Sequence, residues 1–236
     1  MSSKIRAIFF DAGNTLLYPQ LDPLVQDLKT RGFPASIEDF HAAERAGKLK
    51  LDEWLWPQIR ARQVAPGTDR YYWSAYFEML MDQIHAPAEA QPELIHGLRE
   101  GFRDIRTWSR VFPETALFLD ELLKKGYRLG VISNSVGTVE EQLGRAGLGQ
   151  YFEFVLDSAI VGIEKPDPRI FEMALTRANV EPNEAVFVGD TYSTDIGGAQ
   201  QAGLGGILLD RVGAYPNAEG PRLTSLSEMS FDAMFV

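Results

Sequence analysis

Apolar and polar positions follow two different rhythms along the chain, and the change of rhythm divides it. Residues 5–10 form an apolar, β-branched and aromatic run, interrupted only by Arg6, that stops abruptly at Asp11-Ala12-Gly13-Asn14-Thr15. Such a run predicts a strand buried on both faces and ending in a tight loop. Residues 129–133 (LGVIS), 185–188 (AVFV, before Gly189-Asp190) and 206–209 have the same character. Helical stretches lie between them. Pro113-Glu114 opens an apolar-periodic segment that reaches Lys125, with Gly126 placed to end it in a left-handed conformation. Asp167-Pro168 has the N-cap and first-turn pattern of a helix to about Ala178, and residues 195–202, closed by Gly203, predict another. Strands alternating with helices imply parallel βαβ units, hence an α/β fold with a doubly wound parallel sheet.

From Tyr18 to about Trp108 no β-branched apolar run appears and helical periodicity takes over. This stretch predicts an inserted helical domain over residues 18–108, with residues 1–17 and 109–236 forming the core. Its helices are expected to begin at Asp22-Pro23, at Ser36 with Asp39 as a capping box, near Asp52, at Thr68-Asp69 and at Pro92. Trp54, Trp56, Tyr71, Tyr72, Trp73, Tyr76 and Phe77 are expected to pack the insert rather than line a pocket. His41, His85 and His96 show no metal-site spacing.

Composition narrows the chemistry. With no cysteine among 236 residues, disulfides, thiolate nucleophiles and Cys-ligated zinc are excluded, so oxygen ligands must carry any metal chemistry. The first apolar run is too short for a signal sequence or a membrane span, and a cytoplasmic protein is expected. A formal net charge of −10 argues against nucleic-acid and anionic-membrane partners, and leaves the oligomeric state open. A phosphorylated substrate would need local compensation from a cation and a few placed basic residues.

In a doubly wound sheet, ligands bind outside the carboxyl ends of the strands where strand order reverses. Asp11, Ser133 and Asp190 each follow such an end and would converge if their strands are neighbours. Asp11 can act as a carboxylate nucleophile. Asp190 and Asp195 supply hard oxygen ligands suited to Mg²⁺, with a helix N-cap the competing role for Asp195. The Ser133 hydroxyl can bind a phosphoryl oxygen, and Asn134 can fix the loop or touch substrate. Lys165, held between restraining prolines in Glu164-Lys165-Pro166-Asp167-Pro168, can neutralise Asp11 and a transferring phosphoryl group.

DAGNT (11–15), VISNS (131–135), GIEKPDP (162–168) and VGDTYSTD (188–195) resemble, in order, the four motifs of the haloacid dehalogenase (HAD) superfamily. The resemblance implies a Rossmann-like core with a helical cap inserted after the first motif. It also implies an aspartyl-phosphate intermediate on Asp11, and Mg²⁺ held by Asp11, the Gly13 carbonyl, Asp190 and Asp195. The expected substrate is a small phosphorylated metabolite bound by Ser133, Asn134 and Lys165.

One departure matters. The common phosphatase pattern has a second aspartate two residues after the nucleophile, where this chain has Gly13. General acid/base catalysis worth roughly 10²–10⁴-fold is therefore missing, which points to a slow or specialised phosphatase. A carbon–phosphorus hydrolase using an insert lysine, Lys48 or Lys50, stays open, although a lysine there is more often solvated. So do a metal-free dehalogenase, ranked lower, and a silent phosphate-binding or interaction module. Arg60, Arg62 and Arg70 are possible substrate contacts, with exposed helix charge as their default role.

Overall fold

The computed structural model describes residues 5–63 and 66–229; residues 1–4 and 230–236, assigned above to the core, lie outside them. The chain runs through β1 (Ala7–Phe10) and β2 (Tyr18–Pro19) into four helices, α1 (Asp22–Thr30), α2 (Ile37–Ala61), α3 (Thr68–Gln83) and α4 (Gln91–Arg103). β3 (Trp108–Arg110) then pairs antiparallel with β2. The remainder is α5 (Pro113–Lys124), β4 (Arg128–Ser133), α6 (Val139–Arg145), β5 (Phe154–Asp157), α7 (Ser158–Val161), α8 (Pro168–Ala178), β6 (Ala185–Gly189), α9 (Gly198–Gln201), β7 (Gly205–Leu209) and β8 (Arg222–Leu223).

Six strands form one parallel sheet in the order β5-β4-β1-β6-β7-β8. The four runs read as strands are all in it. β5 and β8 went unread because one is a short run of three apolar residues ending in Asp157, with only half of it fully buried, and the other is two residues long. Alternate side chains of β1 serve the two faces, as strand geometry requires. Ile8 and Phe10 pack with Leu129, Val131, Val188 and the α5 residues Phe118, Leu119 and Leu122. Ala7 and Phe9 pack with Ile132, Phe187 and the α8 residues Ile170, Phe171 and Ala174. Full burial of each large side chain stabilises the fold by about 1.5–3 kcal/mol, so the central strand is fixed from both sides.

The helices α1, α3 and α4 share a separate apolar cluster with the start of α2, including Leu28, Phe40, Phe77, Leu80 and Leu98. Ser36 caps α2 with a complete capping box, in which Asp39 N–H donates to Ser36 Oγ (3.3 Å) and Ser36 N–H donates to Asp39 Oδ2 (2.7 Å). No new helix begins near Asp52. α2 continues through it, and through Pro57, to Ala61, because Leu51, Leu55 and Ile59 continue its buried stripe. Tertiary packing here overrides the local cost of an interior proline. The helix expected at residues 195–202 begins earlier, as a π-helical turn over Tyr192–Gly197 that leads into α9.

Candidate active site

The central position of β1 decides what meets at the sheet edge. It lies between β4 and β6, so Asp11 stands between Ser133 and Asp190, at the crevice where strand order reverses. Asp11 N–H donates to Val188 O (2.9 Å), and the following loop folds back as Leu16 and Leu17 N–H both donate to Ala12 O (2.9 Å each). Asn14 holds a left-handed conformation, φ 54°. Asp11, Gly13, Ser133, Asn134, Lys165, Asp190 and Asp195 all border one cavity of about 550 Å³.

Lys165 is 2% exposed and its Nζ donates to Asp11 Oδ1 and Asp195 Oδ1, each at 2.7 Å. Asn134 fixes its main chain from both sides: Lys165 N–H donates to Asn134 Oδ1 (2.7 Å), and Asn134 Nδ2 donates to Lys165 O (2.9 Å). Of the two roles open to Asn134, loop fixation is therefore made with other protein groups. Asp195 is no helix cap. Its second oxygen accepts from Thr191 N–H (2.9 Å), so both oxygens are engaged and its carboxylate stands behind the lysine.

The insert contributes a second ammonium. Lys48 on α2 is 1% exposed, with Nζ 2.6 Å from Glu44 Oε1 and 2.8 Å from Asp190 Oδ2. The expectation of a solvated lysine fails for Lys48 and holds better for Lys50, which is partly exposed and paired with Glu78 at 3.1 Å. Lys48 sits on the stripe that packs α2 against the core, and two carboxylates there offset the cost of burying its charge. Burial disfavours its ammonium, but Asp190 and then Glu44 raise its pKa well above the usual lysine range. A Schiff-base lysine needs a neutral amine, so this pairing weighs against the carbon–phosphorus reading. Glu44, Lys48 and Asp52, spaced by four ahead of Leu55 and Ile59, were the signal in the sequence: a charged triplet on an apolar stripe.

The carboxylates feel both burial and one another. Burial, opposed by Lys165 and reinforced by Asp195 and Asp190, pushes Asp11 up to about 7. Burial likewise carries Asp190 to about 6 against the pull of Lys48, with Asp195 and Glu44 adding repulsion. The donor set fits Mg²⁺ in kind, since that ion takes one or two carboxylates and completes its shell with water and phosphate oxygens. Lys165 engages Asp11 through Oδ1 and Lys48 engages Asp190 through Oδ2. No cluster of three or more His, Cys, Asp or Glu side chains suited to holding a metal occurs among the described residues.

Above the carboxylates, Leu51, Tyr72, Trp73, Phe77, Phe102 and Trp108 form an apolar wall. The aromatic residues of the insert thus both pack and line: Trp73 lies 5.5 Å from Phe77 and 4.9 Å from Phe102 between ring centroids. Arg70 borders the cavity, Arg60 lies over the Trp56 ring at 6.0 Å, and Arg62 ends α2 with φ 53°. Sequence reasoning missed Trp108, whose ring covers Gly13.

The site is thus a parallel α/β sheet with an aspartate at its switch point, held by a buried lysine. The chain belongs to the haloacid dehalogenase-like hydrolases, whose family model it matches over residues 5–203. It is 34% identical to a phosphoserine phosphatase of Thermus thermophilus, over 88% of this chain and 89% of the relative. It is 30% identical to a glyceraldehyde 3-phosphate phosphatase of Methanopyrus kandleri, over 91% and 88% respectively. Among solved structures, a dehalogenase with an intermediate complex superposes with a TM-score of 0.62 at 26% identity, covering 97% of this chain and 96% of that one. No helix among the described residues is long and apolar enough to cross a membrane.

Proposed function

We propose that the chain is a phosphatase of a small phosphorylated metabolite, with Asp11 as nucleophile and helices α1–α4 as a cap over the site. The observation that carries this reading is the division of labour on Asp11. Lys165 takes one oxygen at 2.7 Å, and the other remains for in-line attack beside Ser133. Asp11 Oδ2 forms the bond to phosphorus as the ester oxygen departs, and water then cleaves the aspartyl phosphate to release inorganic phosphate. Lys165 offsets charge on Asp11 and on the phosphoryl oxygens, while Ser133 can donate a hydrogen bond to one of them. Asp11, Asp190 and the Gly13 carbonyl would hold Mg²⁺, with Asp195 behind them through Lys165; when bound, the ion supplies further neutralisation of phosphoryl charge.

No acid stands at position 13, so the departing oxygen takes its proton from water or from the substrate itself. This favours phosphates whose leaving groups are already weak bases. The apolar wall excludes water and gives the cap its part in selecting the substrate.

A second reading has its own support. Asp190 is already neutralised by Lys48, as a metal-free attack of Asp11 on carbon would require, and dehalogenase structures share the fold. The test is hydrolysis of p-nitrophenyl phosphate, acetyl phosphate, phosphoserine and glyceraldehyde 3-phosphate, with and without Mg²⁺, alongside a 2-chloro acid. Phosphate release that needs Mg²⁺ and disappears in Asp11→Asn is the expected result. Chloride release without phosphate release would replace the phosphatase by the dehalogenase, and neither product at one turnover per hour would overturn both.

A further inference from the structure

We infer that Lys48 and a divalent cation are alternative partners of Asp190, so that loading the core site with a cation releases the α2 end of the helical insert. The inference rests on the reading of Asp190 as a metal ligand, proposed above. It begins with Lys48 Nζ, 2.8 Å from Asp190 Oδ2. A dication on Asp190 would stand beside the Lys48 ammonium in a buried site, where charges are poorly screened. Lys165, which meets Asp11 in the same way, is pinned through its main chain by Asn134, whereas Lys48 reaches Asp190 from the insert on a flexible side chain. Lys48 also removes the negative charge at Asp190 that would draw a cation in.

The pair is the first rung of a ladder. Asp52, one turn further along α2, accepts from Ser193 N–H at 3.2 Å. Another turn on, Trp56 and Ile59 close on Gly197, where an added β-carbon would meet each at 3.1 Å. Gln201 Nε2 donates to Ile59 O at 2.6 Å. Positions 48, 52, 56 and 59 share one helical face, and the segment they meet is the one that Asp190 begins. The lower rungs need no metal ligand, so cation binding loosens one end of the interface and leaves the rest docked. A displaced Lys48 has somewhere to go. It borders a second cavity of about 350 Å³, where Glu38 and Glu44 supply carboxylates and His41 and Arg45 are the nearby basic groups from the same helix. Tyr18, Arg110, Arg211 and the end of β7 face that cavity from the other side.

Lys48 is thus a positioning residue: it acts through Asp190 and sets how tightly the site takes a cation. The test uses Mn²⁺, followed as free ion by electron paramagnetic resonance, in the full-length parent, Lys48→Met and Asp190→Asn. The expected result is affinity raised at least tenfold in Lys48→Met and lost in Asp190→Asn. Equal or weaker binding in Lys48→Met, with binding still lost in Asp190→Asn, would overturn the inference and leave Asp190 as a metal ligand. Binding indifferent to Asp190, or none in any form, would overturn that ligand assignment and the inference together, while the phosphatase assay stands as a separate measurement. Should Lys48→Met not fold, amine labelling of Lys48 in the parent, read by mass spectrometry of its peptide, decides the matter. Labelling should rise at least fivefold at saturating Mn²⁺, and unchanged labelling would overturn the inference.

Discussion

The indole of Trp108 lies where a side chain on residue 13 would stand: a β-carbon added to Gly13 would meet Trp108 Cζ3 at 3.3 Å. The ring is not free to yield. Its Nε1 donates to Phe102 O at 2.9 Å, and Trp73 and Phe102 pack against it at 6.4 and 6.1 Å between centroids. Restoring the acid by Gly13→Asp alone is therefore expected to leave alkyl-phosphate hydrolysis unimproved. The double variant Gly13→Asp/Trp108→Ala should exceed it by roughly tenfold or more, part of the usual worth of general acid catalysis. The check is kcat/KM on an alkyl phosphate against p-nitrophenyl phosphate. A single variant as fast as the double would show that the indole is no obstacle.

That contact illustrates what the sequence could and could not disclose. Asp11, Ser133 and Asp190 were legible because each ends an apolar run, and a parallel sheet brings such ends to one edge. Lys165 was legible through its proline-bounded loop. Trp108 was not, since its meeting with Gly13 depends on how β3 returns beside β2 after four helices. Lys48 hid for another reason: a lysine is ordinarily solvated, and only the docking of α2 shows that Asp190 awaits it. The break expected at Asp52 was misplaced because its carboxylate accepts from Ser193 across the interface rather than capping a helix.

Lys165 joins two buried carboxylates, so its removal should affect stability and chemistry together. Lys165→Met leaves Asp11 and Asp195 without their common partner. Breaking a buried pair in this way costs about 3–5 kcal/mol, and losing a preorganised charge at the reacting group costs on the order of 10²–10³-fold in rate. Lys165→Arg is expected to restore little of either, because a planar guanidinium does not fit a point contact between two carboxylates. Denaturant midpoints and single-turnover rates measure the two effects separately. Full activity in Lys165→Arg would show that positive charge alone suffices.

Gly189 has a packing duty at the end of β6. A β-carbon there would fall on the carboxylate of Asp195. Gly189→Ala should push that carboxylate off Lys165 and away from Thr191 N–H, costing about 1–3 kcal/mol as an overpacked core site does. Turnover should fall at least tenfold, roughly the effect of moving a charge that orients the nucleophile's partner. Unchanged turnover with lowered stability would confine Asp195 to a structural role.

Asp52 makes stability depend on pH with a definite sign. Burial pushes its carboxyl up to about 6, even though Ser193 N–H favours the charged form. In the unfolded chain an aspartate titrates near 3.9. Between about pH 4 and pH 6 the native protein therefore holds a proton that the unfolded chain has released, and by linkage stability falls as pH rises through this window. Asp52→Asn keeps an oxygen acceptor for Ser193 and removes the charge. It should melt several degrees above the parent at pH 7.5, at about 2–4 °C per kcal/mol for a chain of this size, with the gap closing toward pH 4. Asp11 and Asp190, also raised by burial, are present in both proteins and contribute little to the difference. Melting curves across pH 4–8 provide the comparison, and a gap that stays constant would show that the buried charge of Asp52 is not its source.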